Sequence, residues 1–195
     1  MFPQTRPRVG SKPRWRASRM KIYKLTREAF AEFGDVMSPE EADHFSINNG
    51  TTERYHDLAR IDVADNHGKP LISLFRGQPR QFPFEVTAME RHPLGTQAFI
   101  PLSKQPYLVV VAPRGDFLSH ALQAFLAKPG QGVNYAKGVW HHALIALNEV
   151  SDFIVIDRGG PGSNCDEVQL VHPVTISEDD LAAAGLSLVL GAQLT

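Results

Sequence analysis

A chain of 195 residues with 43% hydrophobic content is the size of one ordinary domain and apolar enough to build a core. Its formal net charge of -1, with both signs interspersed, gives no electrostatic reason to expect nucleic acid or an anionic membrane surface as partner, and no run approaches the roughly 20 apolar residues that span a bilayer. Cys165, the single cysteine, excludes an internal disulfide or a thiolate metal cluster and fits a reducing, cytoplasmic compartment.

Residues 1–19 carry Arg6, Arg8, Lys12, Arg14, Arg16 and Arg19, no acid and three prolines, which reads as a disordered basic extension ahead of a domain opening at Met20. The stretch has no apolar centre for a secretory signal, and its prolines spoil the amphipathic helix of a transit peptide. Thr26 is placed to cap a short helix that sets Phe30 and Phe33 on one side and ends at Gly34. Phe45 and Ile47 alternate with polar residues, Asn49-Gly50 is a strong hairpin signal, and Arg54 to Leu58 can return as a second strand.

Strands are expected at Leu71–Arg76, Val86–His92, Gln97–Ile100, Tyr107–Ala112, Val139–Leu147 and Phe153–Asp157, a punctuation typical of a sandwich or barrel. Ser119 can cap a short helix carrying Leu122 and Phe125, or the stretch is a strand. Ser177 with Asp180 three residues on marks a helix start. The division expected is an extension 1–19, a catalytic domain 20–172 and a helical tail 173–195 that packs outside or on a partner.

Functional side chains are densest between Met89 and Gln97. If Glu90 and His92 share a strand, a period of two sends both to one face. His141 and His142 are adjacent in a strand and must point to opposite faces, so only one should face the site. Glu90, His92, Gln97 and His141 form an oxygen and nitrogen donor set that would suit a divalent transition ion; the sequence compels no cofactor, and such spacings also occur in structural hydrogen-bond networks. Arg54 and His56 share a strand face where an arginine could hold a carboxylate through two parallel hydrogen bonds, the alternative being a solvated face. Asn134 and Tyr135 lie in a glycine-rich turn between Gly132 and Gly138. Asp157-Arg158 reads as a structural ion pair, Trp140 as core, and Cys165 lacks the neighbours that would mark a nucleophile. No nucleophile elbow, phosphate loop or dinucleotide fingerprint is present.

Phe45-Ser-Ile-Asn-Asn-Gly, Glu53-Arg-Tyr-His-Asp-Leu, Glu90-Arg-His-Pro-Leu-Gly-Thr-Gln-Ala-Phe-Ile-Pro, Gln131-Gly-Val-Asn-Tyr, Val139-Trp-His-His and Ile156-Asp-Arg-Gly together resemble the ureidoglycolate lyase family, over roughly residues 20–170. The resemblance implies a mainly β, cupin-like double-stranded β-barrel (jelly roll) with a few short peripheral helices. It also implies a homodimer and cleavage of (S)-ureidoglycolate to glyoxylate and urea. Glu90, His92 and Gln97 are similar to the first cupin metal motif and Gly138-x-x-His141 to the second, with Glu90 and Gln97 standing where histidine and glutamate are usual. On this reading Glu90 or His92 is the base, His141 the acid and Arg54 the carboxylate clamp. Asn134, Tyr135 and Gln97 orient the ureido group, with His56 and His142 beside the substrate. The rivals are an amidohydrolase releasing ammonia and carbon dioxide, and a non-catalytic cupin that binds a small acid.

Overall fold

A computed structural model describes residues 20–186; the expected extension 1–19 and the end of the tail lie outside the described residues. In chain order the elements are β1 (Ile22–Lys24), α1 (Arg27–Phe30), β2 (Gly34–Met37), β3 (His44–Ile47), β4 (Thr52–Tyr55), β5 (Lys69–Gly77), β6 (Phe84–Arg91), β7 (Gln97–Pro101) and β8 (Tyr107–Ala112). There follow β9 (Gln123–Ala127), β10 (Gly132–Tyr135), β11 (Trp140–His141), β12 (Ile145–Ala146), β13 (Ser151–Gly159), β14 (Asp166–Ile176) and α2 (Glu178–Ala183). The protein is mainly β, as a cupin-like fold requires, and among the described residues no helix is long and apolar enough to cross a membrane.

One sheet is ordered β1-β9-β8-β11-β6-β14, with β12 also on β8, and a second is ordered β2-β10-β7-β13-β5. The period of two explains how they pack. Every residue of β8 is buried: Tyr107, Val109 and Val111 join Phe99, Val133, Tyr135, Phe153 and Val155 of the other sheet in one core cluster. Leu108, Val110 and Ala112 turn the other way, to Val86, Met89, Trp140, Leu170 and Leu181 in a second cluster. The first sheet is thus covered on both faces, and the site described below opens into the space between the sheets. Phe30, Phe33 and Phe125 close one end of that space, Phe30 meeting Phe125 edge-on at 5.5 Å; each fully buried ring contributes about 2–3 kcal/mol.

The short helix forms where its cap predicts, Thr26 Oγ1 accepting from the Ala29 amide. Gly34 has another role than ending it. It opens β2 with φ +144, and a Cβ there would collide with the carbonyl oxygen of Asn134, so β2 can pair with β10 only with glycine at this point. Asn49, at φ 56, makes the expected tight connection of β3 to β4, but β4 ends at Tyr55 because Asp57 takes φ 52. The stretch after Ser119 resolves as a single 3-10 turn and then strand β9.

Three further expectations are corrected. Val139–Leu147 is two short strands, β11 and β12, since the chain must turn between them to reach two different parts of β8. Gly132 to Gly138 is not all turn: Gly132–Tyr135 is a fully buried strand pairing with both β2 and β7. Strand β14 was not expected, and it carries the sheet past His172 to Ile176. Beyond it Ser177 and Asp180 form the expected capping box, and Leu181 seats α2 on the second core cluster with Met20 and Ile22.

Candidate active site

Glu90 and His141 are direct cross-strand partners of β6 and β11. Their neighbours Met89 and Trp140 point into the second core cluster, so alternation turns Glu90 and His141 into the space between the sheets. His92 is the first residue beyond β6, which ends at Arg91, and its ring still reaches the same place, 5.1 Å from the ring of His141. One ligand atom from each of Glu90, His92 and His141 lies within 4.8 Å of the other two. From the facing sheet come Gln97 and Tyr135, paired across β7 and β10. The Tyr135 ring stacks on His141 at 4.2 Å and 11°, fixing the imidazole plane.

Hydrogen bonds decide which histidine nitrogens face the site. His92 Nδ1 lies 2.6 Å from the Asn164 carbonyl and His141 Nδ1 lies 3.1 Å from the Val139 carbonyl. A carbonyl only accepts, so each Nδ1 carries a proton, and in the neutral ring each Nε2 presents a lone pair. Among the described residues both Nε2 atoms are buried without a hydrogen-bond partner, as is Gln97 Oε1. His141 Nε2 is 3.5 Å from Glu90 Oε1.

The contact with His141 holds the Glu90 carboxyl below the usual range, against the burial that would raise it. Burial pushes His141 down, outweighing the pull of Glu90. The pair is therefore a carboxylate and a neutral imidazole, and the attraction that lowers Glu90 calls for positive charge on the His141 side of the contact, a proton on Nε2 or a cation in its place. A positive charge between them satisfies both, and backbone-anchored imidazoles beside a carboxylate are the arrangement that orients ligands for a divalent transition ion. The residues present fit such an ion.

Glu90 also lines a cleft of about 440 Å³ with Phe75, Arg76, Arg80, Phe99 and Leu144. Arg76 is committed to Asp152 through two hydrogen bonds of 2.8 Å. Cys165 Sγ is 4.0 Å from Glu90 Oε2, and partial burial with nearby acids, Glu90 first among them, raises its thiol. The cysteine is a neutral wall, in line with the sequence reading.

The other expected site residues lie elsewhere. His142 turns away from His141 to meet Phe84 edge-on at 5.4 Å, and lines a smaller cleft with Glu90 and Glu167. Asn134, next to Tyr135 in β10, points to the opposite face and donates to Asp35 and to the Arg60 carbonyl. Arg54 and His56 belong to the β3–β4 hairpin, a two-stranded sheet of its own, and lie with Phe45 on its surface. Arg158 does not pair with Asp157. Consecutive strand residues face opposite ways, and its guanidinium binds the carbonyls of Asp65, Asn66 and Pro161. Asp157 instead shares the face of Phe153 and Val155, with Oδ1 buried and unpartnered. It is an inward polar group that the period of two in β13 could have revealed.

The model of the family described as ureidoglycolate lyase matches residues 17–177. A ureidoglycolate lyase of Burkholderia mallei (strain NCTC 10229) is 60% identical over 166 residues, which cover 85% of this chain and 98% of the relative. One of Burkholderia cepacia is 61% identical over 152 residues, 77% of this chain and 86% of its own. One of Pseudomonas putida (strain F1) is 50% identical over 149 residues, 76% and 89% respectively. With the match spanning both sheets and every residue of the cluster, the chain belongs to the ureidoglycolate lyase family.

Proposed function

We infer that the protein is a carbon–nitrogen lyase that cleaves (S)-ureidoglycolate into glyoxylate and urea. The observation that carries this reading is the convergence of Glu90, His92 and His141, with Tyr135 stacked on His141 and Gln97 paired beside it, in a chain of this family. The substrate holds a carboxylate, a hydroxyl and a ureido nitrogen on one carbon. Cleavage forms the aldehyde C=O, breaks the C–N bond and moves one proton from the hydroxyl oxygen to the departing nitrogen; no water is consumed.

Glu90 is ionised at rest and can take the hydroxyl proton. Its Oε1 faces His141 and its Oε2 the Cys165 thiol at 4.0 Å, a weak contact that a substrate hydroxyl can replace. Because the net change is a single proton moved from oxygen to nitrogen, Glu90 can also deliver it to the leaving urea. That replaces the role expected for His141, whose burial keeps it neutral. Burial holds the Tyr135 phenol far above its ordinary pKa, so it stays a neutral donor that, with the Gln97 amide, would orient the ureido group. Glu90, His92, His141 and Gln97 would hold a divalent ion, which when bound supplies Lewis-acid polarisation of the substrate oxygens.

The reading is favoured over an amidohydrolase and over a non-catalytic acid-binding cupin by the family of the chain. Incubated with (S)-ureidoglycolate and corrected for spontaneous decay, the protein is expected to release urea and glyoxylate in equal amounts. Ammonia in place of urea would establish the amidohydrolase, and saturable binding without product the binding protein. Chelation is expected to lower turnover and the thermal midpoint together, both returning with an added divalent transition ion, as for any ligand that binds the native state alone. Unchanged turnover and midpoint after chelation would remove the ion from the scheme.

The catalytic unit we propose is the two-sheet body, working in the cytoplasm as a homodimer. The lone, unpaired cysteine supports a reducing compartment, and exposed apolar side chains on β5 support self-association.

A further inference from the structure

The β3–β4 hairpin is physically unfinished. Two strands alone are marginal in water unless a third strand or a packed face supports them, yet of its eight strand residues only Ile47 is even partly buried. Among the described residues, the hydrogen bonds and ring contacts recorded for residues 44–56 stay within residues 42–56. Phe45 nonetheless stands 45% exposed and Tyr55 42%. Strand β5 has the complementary deficit. Among the described residues it is the last strand of its sheet, nine residues long with one edge open, and Ile72 is 75% and Leu74 56% exposed, with Leu71 and Phe75 exposed beside them. Such an edge is a ready site for association.

We propose that the hairpin is an arm that packs on β5 of a second copy of this chain and brings Arg54 to the mouth of that copy's cleft. Charge agrees with this pairing. Residues 41–57 hold Glu41, Asp43, Glu53 and Asp57 against the single cation Arg54, whereas residues 69–80 hold Lys69, Arg80 and an Arg76 that is paired with Asp152, and no acid. Register fixes which faces meet: Phe45 and Arg54 are cross-strand partners on one side of the hairpin, with His44 and Tyr55 on the other, and Ile72 and Leu74 share the face of β5 opposite Phe75, so a reciprocal two-fold contact sets Phe45 on Ile72 and Leu74 in both copies. Phe75 belongs both to this apolar strand and to the lining of the cleft that holds Glu90, so an arm laid on β5 reaches the cleft mouth. Arg54 sits on the hairpin face of Phe45, its guanidinium 5.8 Å from that ring. The contact that buries Phe45 therefore carries the guanidinium with it, where it can hold the substrate carboxylate through two parallel hydrogen bonds.

The role of Arg54 rests on the lyase reading, and the test separates the two. Arg54→Gln and Glu90→Gln chains, each impaired alone, are coexpressed in equal amounts. An arm that serves the other copy gives every mixed dimer one site with both native residues, so about one quarter of wild-type urea release is expected in a statistical mixture of two-fold dimers. An arm that serves its own chain gives no recovery above the mean of the two variants, which would overturn the proposal, as would full activity of Arg54→Gln alone. Failure of the lyase reading looks different, since wild-type protein would then release no urea. Independently of activity, sedimentation is expected to show a wild-type dimer and a folded monomer for Ile72→Lys combined with Leu74→Lys. A wild-type monomer, or a variant that stays dimeric, would overturn the interface.

Discussion

Glu90→Gln is expected to lower kcat for ureidoglycolate cleavage by about 10³-fold, within the range for loss of a positioned proton acceptor, or about 4 kcal/mol of transition-state stabilisation. The amide matches the carboxylate in shape, so the β6–β11 pairing with His141 and the core on either side are kept. What disappears is the negative charge opposite His141 Nε2 and the oxygen that accepts the hydroxyl proton. Steady-state kinetics on the variant, with its thermal midpoint measured alongside, check this. A loss of less than tenfold with the midpoint unchanged would take Glu90 out of the chemistry.

Arg158→Ala is expected to destabilise the fold by about 3–5 kcal/mol, since it removes a buried charged donor and strands several carbonyls. Arg158 is only 7% exposed. Its Nε and Nη2 tie the turn at Asp65 and Asn66 to Pro161 with hydrogen bonds of 2.8 to 3.1 Å. The same side chain lies against Gly95, where an added Cβ would approach Arg158 Cβ to 2.6 Å, so it also supports the loop between His92 and Gln97. For a domain of this size the thermal midpoint should fall by about 10 °C, with Arg158→Lys recovering part of the loss because an ammonium cannot span all these acceptors. Calorimetry on both variants checks it; a fall under 3 °C for the alanine variant would mean that the carbonyls find other donors.

The legible parts of the sequence were those in which a short segment determines its own outcome. Tyr107–Ala112 is a continuous apolar run and became a strand buried on both faces. Asn49-Gly50 specified its turn, Thr26 and Ser177 their caps, and the adjacency of His141 and His142 foretold that they would part. The rest depended on neighbours distant in the chain. Gly132–Tyr135 looks like a turn because of its glycine, yet it is held as strand by partners nearly a hundred residues earlier in β2 and nearer in β7.

Asp166–Ile176 was hidden by its polar residues and Pro173, which are tolerated because its register shifts between Gln169 and Val174 at the sheet edge. The site divides along the same line. Glu90 and His92 are close in sequence and meet as the expected alternation suggests, although β6 ends at Arg91 and His92 reaches the site from just beyond it. Asp157 was obscured by the attractive but geometrically excluded pairing with Arg158, and the place of Arg54 depends on a surface that a single chain does not bury.

The most direct test of the central claim, that Glu90 drives an elimination in this cleft, is a carbon-13 NMR time course on (S)-ureidoglycolate labelled at the ureido carbonyl. With wild-type protein the label should appear in urea at the rate at which glyoxylate forms, and with Glu90→Gln it should follow only the spontaneous decay. Label appearing in bicarbonate, or urea formed as fast by the variant as by the wild type, would contradict the account.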